Sequence, residues 1–170
     1  GSVSVRDEEA YNIVGPIYMQ LGLAVSPDDC SLALRGLQTL ALRLDQLEKS
    51  TLKIALWLSE NNIIHEVYHP AFKSCPGHDI WKRDFTGSAS VFSFTFVDNV
   101  SSKQVETFIN ALHIFKIGLS WGGVTSLAVV YPDLVRPNKD FGGRLVRLNI
   151  GLEAVDDLIN DLELAISNIN

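Results

Sequence analysis

Residues 90–97 read Ser-Val-Phe-Ser-Phe-Thr-Phe-Val, with phenylalanine at every second position and small polar residues between. A helix would scatter Phe92, Phe94 and Phe96 around its circumference, whereas a strand sets all three on one face. A lone strand leaves its backbone N–H and C=O groups unpaired and its apolar face wet. The segment therefore demands partner strands and a layer packed over the rings.

Three other segments qualify as partners. Residues 63–68 are rich in β-branched and aromatic types, residues 120–130 run from a Gly-Gly turn into an apolar stretch, and residues 144–150 alternate again. The first of these contains His65-Glu66-Val67-Tyr68-His69, which matches the His-Glu-x-x-His pattern of zinc proteases. That chemistry needs a helix, where i and i+4 share a face. Here Asn61 and Asn62 break the preceding helical pattern, and Pro70 pushes His69 out of the helical region. On a strand His65 and His69 would share a face about 13 Å apart, too far for one ion. No metal site is predicted.

The covering layer comes from helical stripes. Asp7 to Leu21 reads as a helix that tolerates Gly15 and Pro16, and Ser26-Pro27-Asp28-Asp29 supplies an N-cap, a first-position proline and two acids for the next. Leu34, Leu37, Leu40, Ala41, Leu44 and Leu47, resuming at Leu52, Ile54, Ala55 and Leu58, make one long helix or two. A short helix is expected near Gly77 to Lys82, then one over Ser101 to His113 with Val105, Phe108, Ile109 and Leu112 inward. Residues 131–143 read as a polar loop, and Glu153 to Ile166 as a terminal amphipathic helix. The fold class is α+β: a small, mainly antiparallel sheet covered on one face by helices and open on the other.

With 170 residues, 46% hydrophobic and 20% charged, the chain can bury one ordinary core. A net charge of −6 without a basic cluster argues against nucleic acid and anionic membranes, and no apolar run reaches the length of a membrane span. Small molecules or proteins remain as partners. Cys30 and Cys75 form no metal knuckle or disulfide framework, which fits a reducing, cytoplasmic setting. Gly1-Ser2 reads as the scar of a cleaved expression tag, so the natural start is expected upstream.

Two places invite chemistry. In the last strand Leu145, Arg147 and Asn149 face away from Val146 and Leu148, and a mid-strand arginine offers a planar fork for a carboxylate or phosphate. Spacing alone leaves open an ordinary surface arginine. At Ser120-Trp121-Gly122-Gly123 the glycines permit close backbone approach, and the indole N–H sits beside a hydroxyl. A tight turn before a strand reads the same way. Ser120 has no demonstrable His and Asp partners, and His113 and Lys116 read as surface groups at a helix end.

In order, Arg35-Gly-Leu-Gln-Thr-Leu-Ala-Leu-Arg43, Tyr68-His-Pro-Ala71, His78-Asp-Ile-Trp-Lys-Arg-Asp-Phe-Thr-Gly87, Ser120-Trp-Gly-Gly123 and Val146-Arg-Leu-Asn-Ile-Gly-Leu-Glu153 resemble the C-terminal part of the cystathionine β-lyases. These belong to the cysteine and methionine metabolism group of fold-type I pyridoxal-phosphate enzymes. The resemblance implies a full-length protein that cleaves cystathionine to homocysteine, pyruvate and ammonia. It assigns the substrate's α-carboxylate to Arg147 and pocket lining to Ser120 and Trp121.

It also implies that pyridoxal 5'-phosphate is held mainly by a preceding domain, because the chain shows no Schiff-base lysine context, phosphate-binding glycine turn or aspartate for the pyridine nitrogen. Residues 3–25 would then be a helix joining that domain, and 26–170 the substrate-binding domain, with no catalytic or cofactor residue of its own. Alone it is expected to fold without catalysing. In full length a homotetramer is expected.

Leu119-Ser-Trp-Gly-Gly123, where γ-lyases and γ-synthases carry Glu-Ser-Leu-Gly-Gly, favours the β-lyase. Val124-Thr125-Ser126 departs from the aromatic, glutamate and serine of many members. A γ-lyase, γ-synthase or sulfhydrylase of the same group, or a free-standing carboxylate-binding module, are the alternatives.

Overall fold

The computed structural model of the chain describes residues 3–137 and 139–169. Two compact units are distinguished, divided between Leu40 and Ala41. In the first, α1 (Glu8–Gln20) starts where the Asp7 carboxylate accepts from the Ala10 N–H at 2.9 Å, and α2 (Pro27–Leu37) where the Ser26 hydroxyl accepts from the Asp29 N–H at 3.0 Å. Neither helix has a buried residue, and Tyr11, Ile13, Ile17 and Leu34 are exposed. The long apolar stripe is two helices, because the second begins afresh at α3 (Leu40–Ser59).

The second unit holds the sheet. In chain order come β1 (Ile64–Tyr68), α4 (His78–Asp84), β2 (Val91–Phe96), α5 (Ser102–Ala111), β3 (Lys116–Ile117) and β4 (Leu127–Val130). Then follow β5 (Val135–Arg136), β6 (Lys139–Asp140), β7 (Leu145–Asn149) and α6 (Val155–Ser167). Five strands run in the order β1-β2-β7-β4-β3, antiparallel except for the β3–β4 pair. Phe92, Phe94 and Phe96 are all but fully buried, as the alternation requires, and cluster with Val146 and Leu148 of β7, Phe108 of α5, Leu158 and Leu162 of α6 and Ile54 and Leu58 of α3. Phe94, Phe96 and Phe108 meet edge to face at 5.2–6.2 Å. Each buried ring contributes about 1.5–3 kcal/mol.

The His-Glu-x-x-His run is strand β1, with a correction to the predicted geometry. Ile64 faces Phe96 while Glu66 faces its neighbour Thr95, so His65 is the extra residue of a β-bulge. The bulge lets Ile64 and Val67 both reach the core although three positions apart. It also separates the histidines: His65 is exposed and His69 fully buried.

Asp161 of α6 sets the path into the site. Almost fully buried, it accepts from the His113 N–H through Oδ1 at 2.9 Å and from the Ile114 and Phe115 N–H groups through Oδ2 at 2.9 and 3.2 Å. Helix α5 therefore ends at Ala111, short of the predicted His113, and the chain turns directly into β3, the strand that contains Lys116. Within the segment read as a polar loop, β5 and β6 pair as a hairpin.

Candidate functional site

The sheet face turned away from the helices carries rows of side chains set by register. Tyr68, Ser93, Arg147 and Val129 lie in one row across β1, β2, β7 and β4, and Glu66, Thr95 and Leu145 in the next. Alternation predicted Arg147 on this face, and there it is, half-buried. Its Nη2 donates to the Leu119 carbonyl at 2.5 Å, and its guanidinium carbon lies 5.8 Å from the Trp121 ring centre and 5.7 Å from that of Tyr131. The two rings lie within cation–π range of the guanidinium, and the carbonyl tethers one of its nitrogens. The remaining N–H groups of the fork are the donors available to a carboxylate.

Of the three predicted substrate residues, the fold brings Arg147 and Trp121 together. Ser120 lies on the same loop and is exposed; beside it the Leu119 carbonyl is the group that Arg147 holds. Tyr131 was missed, because it sits at the end of β4 and only the register of β4 on β7 brings it to Arg147. Also missed was the clamp that shapes the loop. Glu153 accepts from the Ser126 N–H at 2.9 Å and the Ser126 hydroxyl at 2.8 Å, the Ser126 oxygen accepts from the Gly151 N–H at 2.8 Å, and the Leu152 N–H donates to the Val124 carbonyl at 2.8 Å. The sequence signal was present in Gly-Leu-Glu153. A β-carbon on Gly151 would lie 2.3 Å from Glu153 Oε2 and 2.4 Å from the Val124 oxygen, so only glycine fits.

At the β1 edge of the same face a second polar group forms. Lys139 of β6 donates to Glu66 at 2.7 Å and to the Tyr68 hydroxyl, which itself donates to Glu66 at 2.5 Å. Burial raises the Glu66 carboxyl, but the Lys139 ammonium and Tyr68 hydroxyl outweigh it and hold the group below its ordinary value. Burial, then the bond to Glu66, push Tyr68 up. Lys139 is raised chiefly by Glu66. A groove of about 610 Å³ lined by Leu44, Glu48, Pro70, Trp81 and Phe85 includes none of the predicted substrate residues.

Residues 1–167 match the sequence profile described as Cys/Met metabolism PLP-dependent enzyme. The chain belongs to that family. It is 41% identical over 155 residues to the cystathionine beta-lyases of Haemophilus influenzae and Escherichia coli, covering 88% of this chain and 39% of each relative. It is also 32% identical over 169 residues to the L-alanine/L-glutamate racemase of Wolbachia pipientis, covering 97% of this chain and 42% of the racemase. A solved structure of the O-acetylhomoserine sulfhydrylase of Wolinella succinogenes superimposes with a TM-score of 0.81 over 92% of this chain and 43% of that one, at 25% identity. The chain spans about two fifths of the length of these relatives.

Pyridoxal phosphate, the family's cofactor, needs a lysine amine for its aldehyde and a cradle of N–H groups or cations for its phosphate. The group around Arg147 does not fit it. Among the described residues Lys49, Lys53 and Lys139 are ion-paired with Asp45, Asp156 and Glu66, and Lys116 donates to the His113 carbonyl. Lys73, Lys82 and Lys103 are exposed on other elements. The Arg147 fork can pair with an anionic oxygen group such as a carboxylate.

Proposed function

We propose that this chain is the substrate-carboxylate-binding part of a pyridoxal-phosphate carbon–sulfur lyase that cleaves cystathionine to homocysteine, pyruvate and ammonia. One observation carries the reading: the Arg147 guanidinium lies 5.8 and 5.7 Å from the Trp121 and Tyr131 ring centres on the sheet face turned away from the helices, with one fork nitrogen on the Leu119 carbonyl and its other N–H groups to offer a carboxylate. The 41% identity to cystathionine beta-lyases and the Leu119-Ser120-Trp121 sequence support the choice within the family.

Arg147 binds the α-carboxylate through its fork and so fixes the orientation of the substrate's Cα, a positioning contribution that transfers no proton. Trp121 and Tyr131 lie beside the guanidinium and help hold it in place for the carboxylate. When bound by the rest of the full-length protein, the cofactor supplies an electron sink for the bond cleavage. We further propose a homo-oligomer in full length.

The test is to give the full-length protein L-cystathionine and identify the keto acid. Pyruvate is expected. 2-Oxobutyrate would replace the reading with the γ-lyase. Neither product would remove cystathionine as substrate.

A further inference from the structure

Asn149 is two residues beyond Arg147 on β7 and shares its face, yet it is only 1% exposed. Its amide makes three hydrogen bonds. Oδ1 accepts from the Ser90 hydroxyl at 2.8 Å and from the Gly122 N–H at 3.0 Å, and Nδ2 donates to the Thr125 carbonyl at 3.1 Å. A backbone N–H can only donate and a carbonyl only accept, so these partners fix which amide atom is which. Gly122 turns its N–H inward from a left-handed conformation, φ +75°.

Arg147 holds Leu119 and Asn149 holds Gly122. Ser120 and Trp121 are thus suspended between two pins that stand two residues apart on one strand. A leucine at 149 would occupy similar space without the desolvation cost of a buried amide, so the amide's distinct contribution is to fix the loop in one place.

We infer that Asn149 is a positioning residue of the carboxylate site: it sets the Ser120–Trp121 segment over Arg147 and thereby determines how tightly an α-carboxylate is gripped. This rests on the carboxylate reading of Arg147. Because the loop walls the bound substrate before and during reaction alike, its displacement raises KM more than it lowers kcat.

The test uses the full-length, cofactor-loaded protein with Asn149→Leu, Arg147→Ala and the double variant. Asn149→Leu is expected to raise KM about 10- to 100-fold, the range that misplacement of a bound group produces, with kcat changed far less. Hydrogen exchange of the 118–126 peptide should accelerate. Once Arg147 is absent, adding Asn149→Leu should leave KM nearly unchanged, because the two act through one contact.

A fall in thermal midpoint with KM unaltered would overturn the inference and leave Arg147 in place. Full additivity of the two variants, or unaltered exchange in the loop, would overturn it as well. If Arg147→Ala itself left KM unchanged, the carboxylate reading would fail and the positioning role with it. Should Asn149→Leu not fold, Asn149→Ala removes the same three bonds without adding volume or charge. It must then show a rise in KM in the same direction, and no rise would count against the inference.

Discussion

The Arg147 guanidinium lies 5.8 Å from the centre of the Trp121 ring, although Arg147 is in the middle of β7 and Trp121 on the β3–β4 connection 26 positions earlier. Cation–π contact of this kind favours the planar guanidinium over a compact ammonium, and the fork favours a bidentate carboxylate. Arg147→Lys in the full-length protein is therefore expected to lose about tenfold or more in kcat/KM although charge is kept, and Arg147→Ala about 2–4 kcal/mol, roughly 30- to 1,000-fold. Steady-state kinetics on both variants checks this. Equal activity of the lysine variant would mean that charge alone suffices.

Gly151→Ala tests the clamp that shapes the loop. The added carbon would meet the Val124 oxygen and the Ser126 nitrogen at 2.4 and 2.6 Å, both backbone atoms that cannot swing aside. Overpacking of this sort costs about 1–3 kcal/mol. Denaturant unfolding should show a lower midpoint, and hydrogen exchange should show the loss concentrated at 118–126.

Asp161→Ala should be more damaging. It leaves the His113, Ile114 and Phe115 N–H groups without their acceptor. Unpaired buried donors cost about 1–3 kcal/mol each, so a loss of about 3–5 kcal/mol is expected after partial relaxation toward water. Asp161→Asn keeps an acceptor and should lose less. Urea titrations of both variants rank the two.

The sheet was legible because period-two alternation in residues 90–97 and 144–150 specifies both strand and face, and Arg147 stood out on the polar side of that pattern. The bulge at His65 was not, since nothing local reports a partner strand's register. Nor were the contacts of Asp161 or Glu153: they bind backbone N–H groups 27 to 48 positions away, and a carboxylate looks the same in sequence whether it meets water or backbone amides. The β5–β6 hairpin escaped because two-residue strands carry no periodicity, and what holds it to β1 is the Lys139–Glu66 pair.

That pair gives a modest prediction. Lys139 and Glu66 keep 42% and 27% of their side-chain exposure, so Lys139→Met is expected to cost less than about 1 kcal/mol, and less still in high salt. The pair's contribution is present above the ordinary Glu66 value near 4.5 and is lost as pH falls through the lowered folded value. On the alkaline side it is present below the ordinary lysine value near 10.5 and is lost as pH rises through the raised folded value. Unfolding at pH 7 in low and high salt should show a small gap that narrows with salt.

His69 gives acid sensitivity of the opposite weight. The imidazole is fully buried between Phe72 and Phe92, at 5.6 and 6.0 Å between ring centres, and its Nδ1 accepts from the Ala71 N–H at 3.2 Å. Burial lowers its pKa, with the Glu48 carboxylate opposing. The folded state therefore holds the neutral ring while the unfolded chain takes up a proton near pH 6.5, so the unfolded state binds more protons below that value and stability rises with pH there. Its contribution is complete above pH 6.5 and is lost as pH falls toward and through the folded value. Protonation at Nδ1 would also turn an acceptor into a donor facing the Ala71 N–H. His69→Gln is expected to lower stability at pH 7.5 and to flatten the decline between pH 6.5 and 5. Chemical denaturation of both proteins across that interval checks it, and parallel curves would show that another group carries the acid sensitivity.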